Sequence, residues 1–261
     1  MPDARPDPEP VVAPRPAEST QIHTRLLKCA LAIEESRAWW QNIDPDDAEH
    51  PARRAFEEYW FGSKSLDRIK VLIANMRARF DAFPTGLAVL RRWPDMDPET
   101  RAAVCHWHLQ FSDPLYRAFT GDYLPGRRVT ARADVRQDQV IRWVADQGPG
   151  RWTMSTRVQF ASKLLSCAHS AGLVTTRLDP RPLAYPRIPD AALGYLLHLL
   201  REVEFDGTLT DNPYLRSVGL EGSILEDRLR SLPDLHFRRL ADLVDFGWSH
   251  ATLQSWAEAR S

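Results

Sequence analysis

Small hydrogen-bonding side chains and cations recur along one face of a segment near the middle of the chain, residues 153–171. Serine and glutamine can meet phosphates or base edges, and lysine and arginine neutralise phosphate charge. The segment contains no Asp or Glu, whose carboxylate would face phosphates across a thin layer of water. This face consists of Ser155, Gln159, Ser162, Lys163, Ser166 and Ser170, and we interpret it as a nucleic-acid contact surface. Arg157 of the same segment is a further predicted contact.

Helical periodicity predicts that residues 153–171 form one amphipathic helix. Thr153 or Ser155 can cap its first turn. Gly172 is the expected residue just past its end, where a left-handed backbone favours glycine. The face opposite the polar one is predicted to pack into the core through Met154, Val158, Ala161, Leu164, Leu165 and Ala168.

Charge is segregated along a chain whose net charge is only −1. Residues 51–93 carry nine Lys and Arg against four Asp and Glu, and residues 127–178 carry nine against three. Residues 147–178 contain no acid, and residues 179–261 sum to −4. Such separation is what binding of a polyanion requires. The second basic island adds to the predicted contact residues Arg127, Arg128, Arg132, Arg151 and Arg177.

The first basic island is centred on another amphipathic helix, predicted over residues 63–84. Ser65 is the expected N-cap, and apolar residues such as Ile69 and Met76 recur at helical spacing. This segment resembles 153–171 in its Ser-containing start and its basic surface. It is therefore a second predicted nucleic-acid contact, through Arg68, Asn75 and Arg79.

The elements around 153–171 predict how that helix is presented. A helix over 133–148 precedes it, and two β-rich runs, 173–178 and 183–188, follow it as a small hairpin. Helix, turn, helix and hairpin is the order of a winged helix-turn-helix, in which the second helix enters a major groove and the wing touches the adjacent backbone. The expected fold class is mainly α: a helical bundle with winged helix-turn-helix-like units and a small β-hairpin wing.

Three regions are expected along the chain. Residues 1–20 are Pro-rich with few large apolar groups and are predicted to be a disordered tail. Residues 21–125 are predicted to form an N-terminal helical domain, and residues 126–261 a C-terminal winged-helix-like domain with extra helices. The Pro/Gly-containing segment 124–128 is the predicted break between them.

The remaining segments are predicted to be mostly helical. A single helix is expected to start near Thr20 or Thr24 and to end before Pro45, and residues 236–246 are ambiguous between helix and strand. Helices are also predicted at 51–62, 85–93, 98–109, 113–123, 190–205, 223–232 and 249–259.

Metal, redox and catalytic chemistry find little support in the sequence. Cys29, Cys105 and Cys167 form no disulfide pattern, which indicates a reducing, cytoplasmic setting with buried thiols. Cys105, His106 and His108 lie close together but lack further ligands at suitable spacing, so no metal or cofactor is expected. No apolar stretch is long enough to cross a bilayer, and no convincing catalytic set is present. We expect a non-enzymatic protein with no membrane partner.

Five segments carry a likeness through their order along the chain. They are LLKCALAIEESRAWW (26–40), FGSKSLDRIKVLIANMRARFDAFP (61–84), QFSDPLYRAFTGDYL (110–124), MSTRVQFASKLLSCAHSAGLV (154–174) and LADLVDFGWSHATLQSW (240–256). In this order they resemble the BrxA family, small proteins of BREX bacteriophage-resistance systems. The likeness spans roughly residues 20–260 and rests on segment order rather than on an invariant motif.

The resemblance implies a mostly helical, non-enzymatic protein that binds double-stranded DNA and has winged-helix-like and NusB-like helical parts. It implies action beside a DNA methyltransferase, a large ATPase and a phosphatase-like component of the same system. It supplies no catalytic residues, only the expectation that the two basic helices line a DNA surface. We therefore predict duplex binding that is dominated by phosphate contacts. Two alternatives stay open: a protein-interaction scaffold within a defence complex, and a NusB-like RNA binder.

Overall fold

The computed structural model of the protein describes residues 15–44, 51–93, 95–241 and 243–260. It is mainly helical with two small antiparallel sheets, which confirms the predicted fold class. One hydrophobic core takes side chains from both halves of the chain. The helices of the first half are α1 (Arg25–Lys28), α2 (Ile33–Asn42), α3 (Pro51–Glu57), α4 (Leu66–Phe80), α5 (Pro84–Arg91), α6 (Pro98–Ser112), α7 (Pro114–Ala118), a π-helical turn (Phe119–Tyr123) and α8 (Leu124–Arg128).

Residues 15–20 pack against the body of the protein. Ala17 pairs with Glu204 in a parallel bridge, and the amide of Glu18 donates to the carbonyl of Glu204 at 3.0 Å. The predicted disordered tail is therefore wrong for this part, because long-range backbone hydrogen bonds hold it. The rest of that prediction, residues 1–14, lies outside the described residues.

Two short helices replace the single helix predicted from about residue 20 to Pro45. α1 and α2 are separated where Ala32 adopts a left-handed backbone with φ of 53°. The carbonyls of residues 29–31 lie in this break and accept hydrogen bonds from the guanidinium of Arg79. These carbonyls bond to a buried cation from a distant helix instead of to the backbone amides of a continuing helix. Local periodicity does not reveal such a long-range interaction.

The central helix of the first half is α6, which is buried from Ala103 to Ser112. Its N-cap Asp97 accepts a hydrogen bond from the amide of Thr100 at 2.8 Å. α4 packs against α6 and begins at its predicted cap. There the hydroxyl of Ser65 accepts from the amide of Arg68 at 3.3 Å. The capping signals therefore locate the starts of both helices.

The Pro/Gly segment 124–128 is helical. Asp113 caps a continuous run that begins at Pro114 and passes through α7, the π-helical turn and α8. Pro125 has no amide hydrogen and follows the π-helical turn, where the helical ladder is already interrupted. The predicted break is therefore wrong, and the chain passes from one half to the other as helix.

After α8 the chain follows the winged helix-turn-helix order that the sequence predicts. The elements are β1 (Asp134–Val135), α9 (Gln137–Asp146), α10 (Met154–Ser170) and β2 (Arg181–Pro182). β1 pairs antiparallel with β2, and α9 packs against α10. The helix predicted over 133–148 is shorter than expected because its first residues form β1.

The predicted hairpin after α10 forms over a shorter stretch than the predicted runs 173–178 and 183–188, with a bridge between Val174 and Leu183. We call residues 173–184 the wing. The amide of Thr175 donates to the carbonyl of Pro182 at 3.1 Å, and the amide of Ala184 donates to the carbonyl of Leu173 at 2.9 Å. Since β2 also pairs with β1, the wing is anchored to the strand that precedes α9. This third strand was not predicted.

The ambiguous segment 236–246 belongs to a second hairpin. Leu235 is paired with Trp248 at its base, and Leu240 with Leu243 at its tip. Alternate residues of this hairpin, such as Phe237, face the core, which is the period-two pattern of a half-buried strand. The elements of this part are α11 (Asp190–Glu202), α12 (Pro213–Ser217), α13 (Gly222–Ser231), β3 (Leu235–Leu240), β4 (Leu243–Trp248) and α14 (Leu253–Glu258).

The three cysteines are free and buried, as the sequence predicts. Burial raises the pKa of the Cys105 and Cys167 thiols to about 12, so both stay protonated at neutral pH. Within the described residues, no helix combines the length and the apolar character needed to cross a membrane.

Candidate nucleic-acid interface

α10 begins and ends at residues that the sequence predicts. The hydroxyl of Thr153 accepts a hydrogen bond from the amide of Thr156 at 3.3 Å, and Gly172 follows the helix with φ of 73°. Any other residue would be strained in this left-handed conformation. A Cβ at Gly172 would also sit 3.2 Å from the Cβ of Pro186. The helix therefore stops where the wing begins.

The inward face of α10 is apolar, and most of its predicted residues are buried. Val158 is half-buried. Met154 is 63% exposed, so the prediction that it packs in the core is wrong; it stands in the first turn, which projects beyond the core. Phe160 was not predicted to be in this face, and its ring packs 4.9 Å from that of Trp152. The predicted residues that are buried are Ala161, Leu164, Leu165 and Ala168.

The outward face of α10 is an exposed strip of small polar side chains, with no Asp or Glu anywhere on the helix. Their spacing of three or four residues aligns them along one side of the helix. Across the described part of the chain, the side chains of Gln159, Ser162 and Ser166 have no hydrogen-bond partner, so they are available to a ligand. We call this face the polar stripe, and it comprises Ser155, Gln159, Ser162, Ser166 and Ser170.

Two predicted cations lie on α10 at different angles to the polar stripe. At about 100° per residue, Lys163 stands beside the stripe, whereas Arg157 lies on the opposite side of the helix. Arg157 and Lys163 are half-buried, so their aliphatic stems lie against the protein and their charged ends can reach outward. Neither makes an ion pair with any described residue. The Nε of Arg157 is buried without a hydrogen-bond partner in that part of the chain. Lys163 is therefore free to neutralise an anion beside the polar stripe, whereas Arg157 can reach an external anion only with the terminal nitrogens of its guanidinium.

The loops beside α10 add exposed cations. Arg177 lies in the wing and Arg132 in the loop before β1, and both side chains are exposed. Among the described residues neither has an ion-pair partner. The structure thus leaves these two predicted residues on the surface of the winged-helix unit.

Arg79 and Asn75 are buried, so the prediction that they contact nucleic acid is wrong. Arg79 is 3% exposed and donates to three carbonyls between α1 and α2, at 2.5 to 3.1 Å. The side-chain amide of Asn75 donates from Nδ2 to the carbonyl of Val71 on its own helix, at 2.7 Å. Both residues stabilise the fold because they satisfy backbone acceptors inside it.

Arg127 and Arg128 also bind the protein itself, contrary to prediction. Arg127 donates to the carbonyl of Asp134 at 3.0 and 3.1 Å, which ties α8 to β1. Arg128 is half-buried and donates to the carbonyls of Ser217 and Ala184 at 3.2 and 2.7 Å. These cations join the winged-helix unit to its neighbours, so few of their hydrogen-bond donors are available to a ligand.

Arg68 and Arg151 are exposed, and each also donates a hydrogen bond to a backbone carbonyl of the protein. Arg68 donates to the carbonyl of Lys28 at 2.8 Å, and Arg151 donates to the carbonyl of Ile22 at 2.7 Å. A carbonyl does not cancel the charge of a guanidinium, so both side chains still contribute positive potential at the surface.

Two further cations of α4, Lys70 and Arg77, are paired with acids on the same helix or just beyond its end. Lys70 lies 3.3 Å from Asp67, and Arg77 lies 3.9 Å from Asp81. Such pairs three or four residues apart are ordinary surface ion pairs. With Arg79 and Asn75 inside the protein, α4 presents no surface comparable with the polar stripe.

One exposed cation near the polar stripe was not predicted. Arg136 precedes α9 and is exposed, with no ion-pair partner among the residues that the structure describes. Its neighbour Gln137 donates its amide to Asp179 of the wing at 2.7 Å, so Arg136 lies close to the wing. The available signal was its place in the second basic island, next to the start of a helix.

Cys105, His106 and His108 are individually buried in α6 and face different partners. His106 contacts the hydroxyls of Tyr116 and Ser217, both at 2.8 Å. Burial lowers the pKa of His106 to about 3 and that of His108 to about 4, so both rings are neutral at pH 7. No group of metal-ligating side chains occurs among the described residues. These histidines hold the core together through hydroxyl contacts.

The chain matches no known protein-family model and no curated protein sequence. It is similar in structure to an uncharacterized protein from Magnetospirillum magneticum, with a TM-score of 0.55 and 18% sequence identity. The match covers 76% of this chain and 97% of that one. At this identity the likeness shows a shared fold alone.

Proposed function

We propose that this chain is a non-enzymatic double-stranded DNA-binding protein and that the polar stripe of α10 faces the major groove. The observation that carries the proposal is an exposed, acid-free helix face in a winged-helix unit, flanked by cations that have no acidic partner among the described residues. A B-form major groove, about 12 Å wide, admits a helix. Small side chains such as Ser162 and Ser166 allow close approach to the groove.

Phosphate contacts dominate in this proposal. Arg157 and Lys163 flank the inserted helix, and Arg132, Arg136 and Arg177 surround it from the neighbouring loops and the wing. Arginine and lysine contacts to phosphate supply affinity without reading sequence. The binding is therefore largely tolerant of sequence.

The family likeness supports a more specific setting for the proposal. In it the chain acts in the cytoplasm as an accessory of a BREX-type phage-defence system, beside a methyltransferase, an ATPase and a phosphatase-like protein. This setting rests on the order of the resembling segments. Co-purification of those components with the tagged chain, before and after nuclease treatment, tests it: components that stay bound without DNA support a direct assembly.

Duplex binding at several salt concentrations tests the DNA proposal. The logarithm of the binding constant should fall linearly with the logarithm of the salt concentration, with a slope of about −0.9 per neutralised phosphate. Arg157→Ala combined with Lys163→Ala should weaken binding and should reduce the magnitude of this slope by about the contribution of two neutralised phosphates. Binding that does not respond to salt would contradict the electrostatic mechanism.

A matched control removes the same charge from a different surface. Arg53→Ala combined with Lys70→Ala also deletes two positive charges, but both cations are exposed and paired, with Glu57 and Asp67. This control should keep the salt slope of the unmodified protein. An equal loss in both double variants would mean that net charge, and not the α10 surface, determines binding.

A protein-interaction scaffold is the second candidate function, and one observation favours it. Leu240 and Leu243 at the tip of the β3–β4 hairpin are 76% and 72% exposed, as an apolar anchor for a partner would be. Retention of partner proteins by a chain without duplex affinity would favour this function. For a NusB-like RNA role, structured RNA of equal length should outcompete duplex DNA, whereas a groove-inserting helix is excluded from the narrow A-form major groove.

A further inference from the structure

The turn of the wing exposes a large apolar side chain beside a cation. Leu178 is 80% exposed and directly follows Arg177, which is also exposed and without an ion-pair partner in the described part of the chain. No described element covers Leu178. An exposed leucine next to an unpaired arginine, on the element that follows α10, is available for an apolar contact outside the protein.

The wing turn is held in place by side-chain hydrogen bonds. One carboxylate oxygen of Asp179 accepts from the amide of Gln137 at the start of α9, at 2.7 Å. The other accepts from Nε of Arg181 at 2.8 Å. The hydroxyl of Thr176 donates to the carbonyl of Leu178 at 2.9 Å. Leu178 is therefore presented on a turn that is fixed to the helix-turn-helix, which lowers the entropy cost of ordering it on a ligand.

The length of the wing determines whether its turn can reach a groove next to the one that α10 would occupy in the proposed complex. The wing begins at Leu173, directly after α10. Five residues at about 3.3 Å each carry Leu178 up to about 17 Å away from the end of α10. In the proposed complex this reach carries Leu178 away from the groove that α10 occupies and towards the adjacent minor groove, which is about 6 Å wide and 7.5 Å deep.

We propose that Leu178 inserts into the minor groove as an apolar wedge between base pairs and bends the duplex. Arg177 then sits in the same groove, where negative potential attracts arginine. The preferred substrate is duplex DNA that is easily deformed, rich in pyrimidine–purine steps such as TA and CA, rather than one base sequence. This inference rests on the proposed function and gives it a preference that phosphate contacts alone cannot provide.

DNA bending is the property that separates the wedge from simple phosphate binding. The experiment measures end-to-end fluorescence energy transfer in a labelled duplex with a central TA step, with and without the protein. The unmodified protein should raise the transfer efficiency at saturation. Leu178→Ala should bind about three- to tenfold more weakly. The variant loses the apolar area that Leu178 buries, but it also avoids the free-energy cost of unstacking the base pairs, so the net loss is modest. It should leave the saturated duplex at the transfer efficiency of free DNA, with an unchanged salt slope.

Two variants serve as controls. Leu240→Ala removes a leucine that is 76% exposed on the tip of the other hairpin, and it should bind and bend as the unmodified protein does. Arg177→Ala should make the salt slope shallower by about one phosphate's worth and retain most of the bend. Neither exposed leucine packs in the core, so loss of folding does not confound the comparison.

The outcomes distinguish the two proposals. Salt-dependent binding of the unmodified protein without any bend overturns the wedge and leaves the proposed function intact. The wedge is likewise overturned, and the proposed function kept, if Leu178→Ala bends the saturated duplex fully. Absence of duplex binding overturns both proposals. A bend that requires Leu178 and not Leu240, and that is larger at TA than at a stiff A-tract, supports the wedge.

Discussion

α4 and α10 look alike in sequence and differ in where their polar groups go. Each begins at a hydroxyl cap, Ser65 in α4 and Thr153 in α10. In α4, Arg79, which the sequence predicts as a surface contact, donates hydrogen bonds to carbonyls in the core. In α10 the polar face remains open, and Lys163 has no acidic partner among the described residues. α4 carries four Lys and Arg and α10 only two, yet it is α10 that presents the accessible polar surface, because a cation of α4 is used as a structural brace.

The difference depends on acids at short range and on partners at long range. The acids of α4 stand three or four residues from its bases, as Asp67 does from Lys70, and neutralise them on the surface. α10 contains no acid that could do so. The net charge of a segment cannot show this, because it ignores which charges are neighbours. Predictions of a binding helix therefore improve when unpaired cations are counted instead of net charge.

The largest expected effect concerns Arg79. Arg79→Met should lower the free energy of unfolding by about 2–4 kcal/mol, because three buried carbonyls lose a charged donor while the cost of burying the guanidinium is relieved. Duplex affinity per folded molecule should stay unchanged. Urea unfolding followed by tryptophan fluorescence measures the first quantity, and binding under native conditions measures the second.

An opposite result for Arg79 would remove the contrast between the helices. If Arg79→Met kept the stability of the protein and weakened duplex binding tenfold, α4 would belong to the interface as the sequence first indicated. Arg68→Ala is the matched control on the exposed side of α4. It loses only one hydrogen bond to a carbonyl and should destabilise the protein by about 1 kcal/mol or less.

A carboxylate placed in the polar stripe should have the next largest effect. Ser162→Glu puts a negative charge opposite the DNA phosphates and should weaken duplex binding at least thirtyfold, about 2 kcal/mol, at low salt. The fold should tolerate the change, since Ser162 is exposed and Glu is a better helix former than Ser. Gel-shift titration measures the loss of binding, and thermal unfolding checks the fold.

The matched control for this change lies on α4. Ala74 is exposed in the middle of that helix, so Ala74→Glu adds the same charge to a surface that should not meet DNA. Its effect on binding should stay within about twofold, as expected for a distant screened charge. Equal losses in both variants would show that the position of the acid is immaterial, and the polar stripe would lose its special status.

Features that depend on neighbouring residues were predictable from the sequence. Ser65 and Thr153 as caps, Gly172 as the end of α10 and the wing after it follow from local backbone chemistry. The exposed polar stripe followed from helical periodicity because α10 has one clearly apolar and one clearly polar face. Local rules were sufficient for the helix that carries the proposed interface.

Features that depend on distant residues were not predictable in this way. The break at Ala32 exists because Arg79, far along the chain, supplies donors to the carbonyls before it. Asn75 is polar, so the sequence predicts it on the surface, but it is buried in the structure, where α4 packs against α6. Long-range hydrogen bonds decide which polar groups are inside, and a single sequence carries no direct record of them.

The smallest expected effect comes from making α4 resemble α10. Asp67→Asn removes the acidic partner of Lys70 and should cost less than about 1 kcal/mol of stability, as for exposed ion pairs and first-turn acids. Duplex affinity should rise by no more than about twofold, because freeing one cation leaves Arg79 and Asn75 buried and does not give α4 an exposed polar face. Parallel salt titrations of this variant and the unmodified protein make the comparison. A tenfold gain with a steeper salt slope would mean that ion pairing alone had masked a second interface on α4, and that the two helices differ in degree and not in kind.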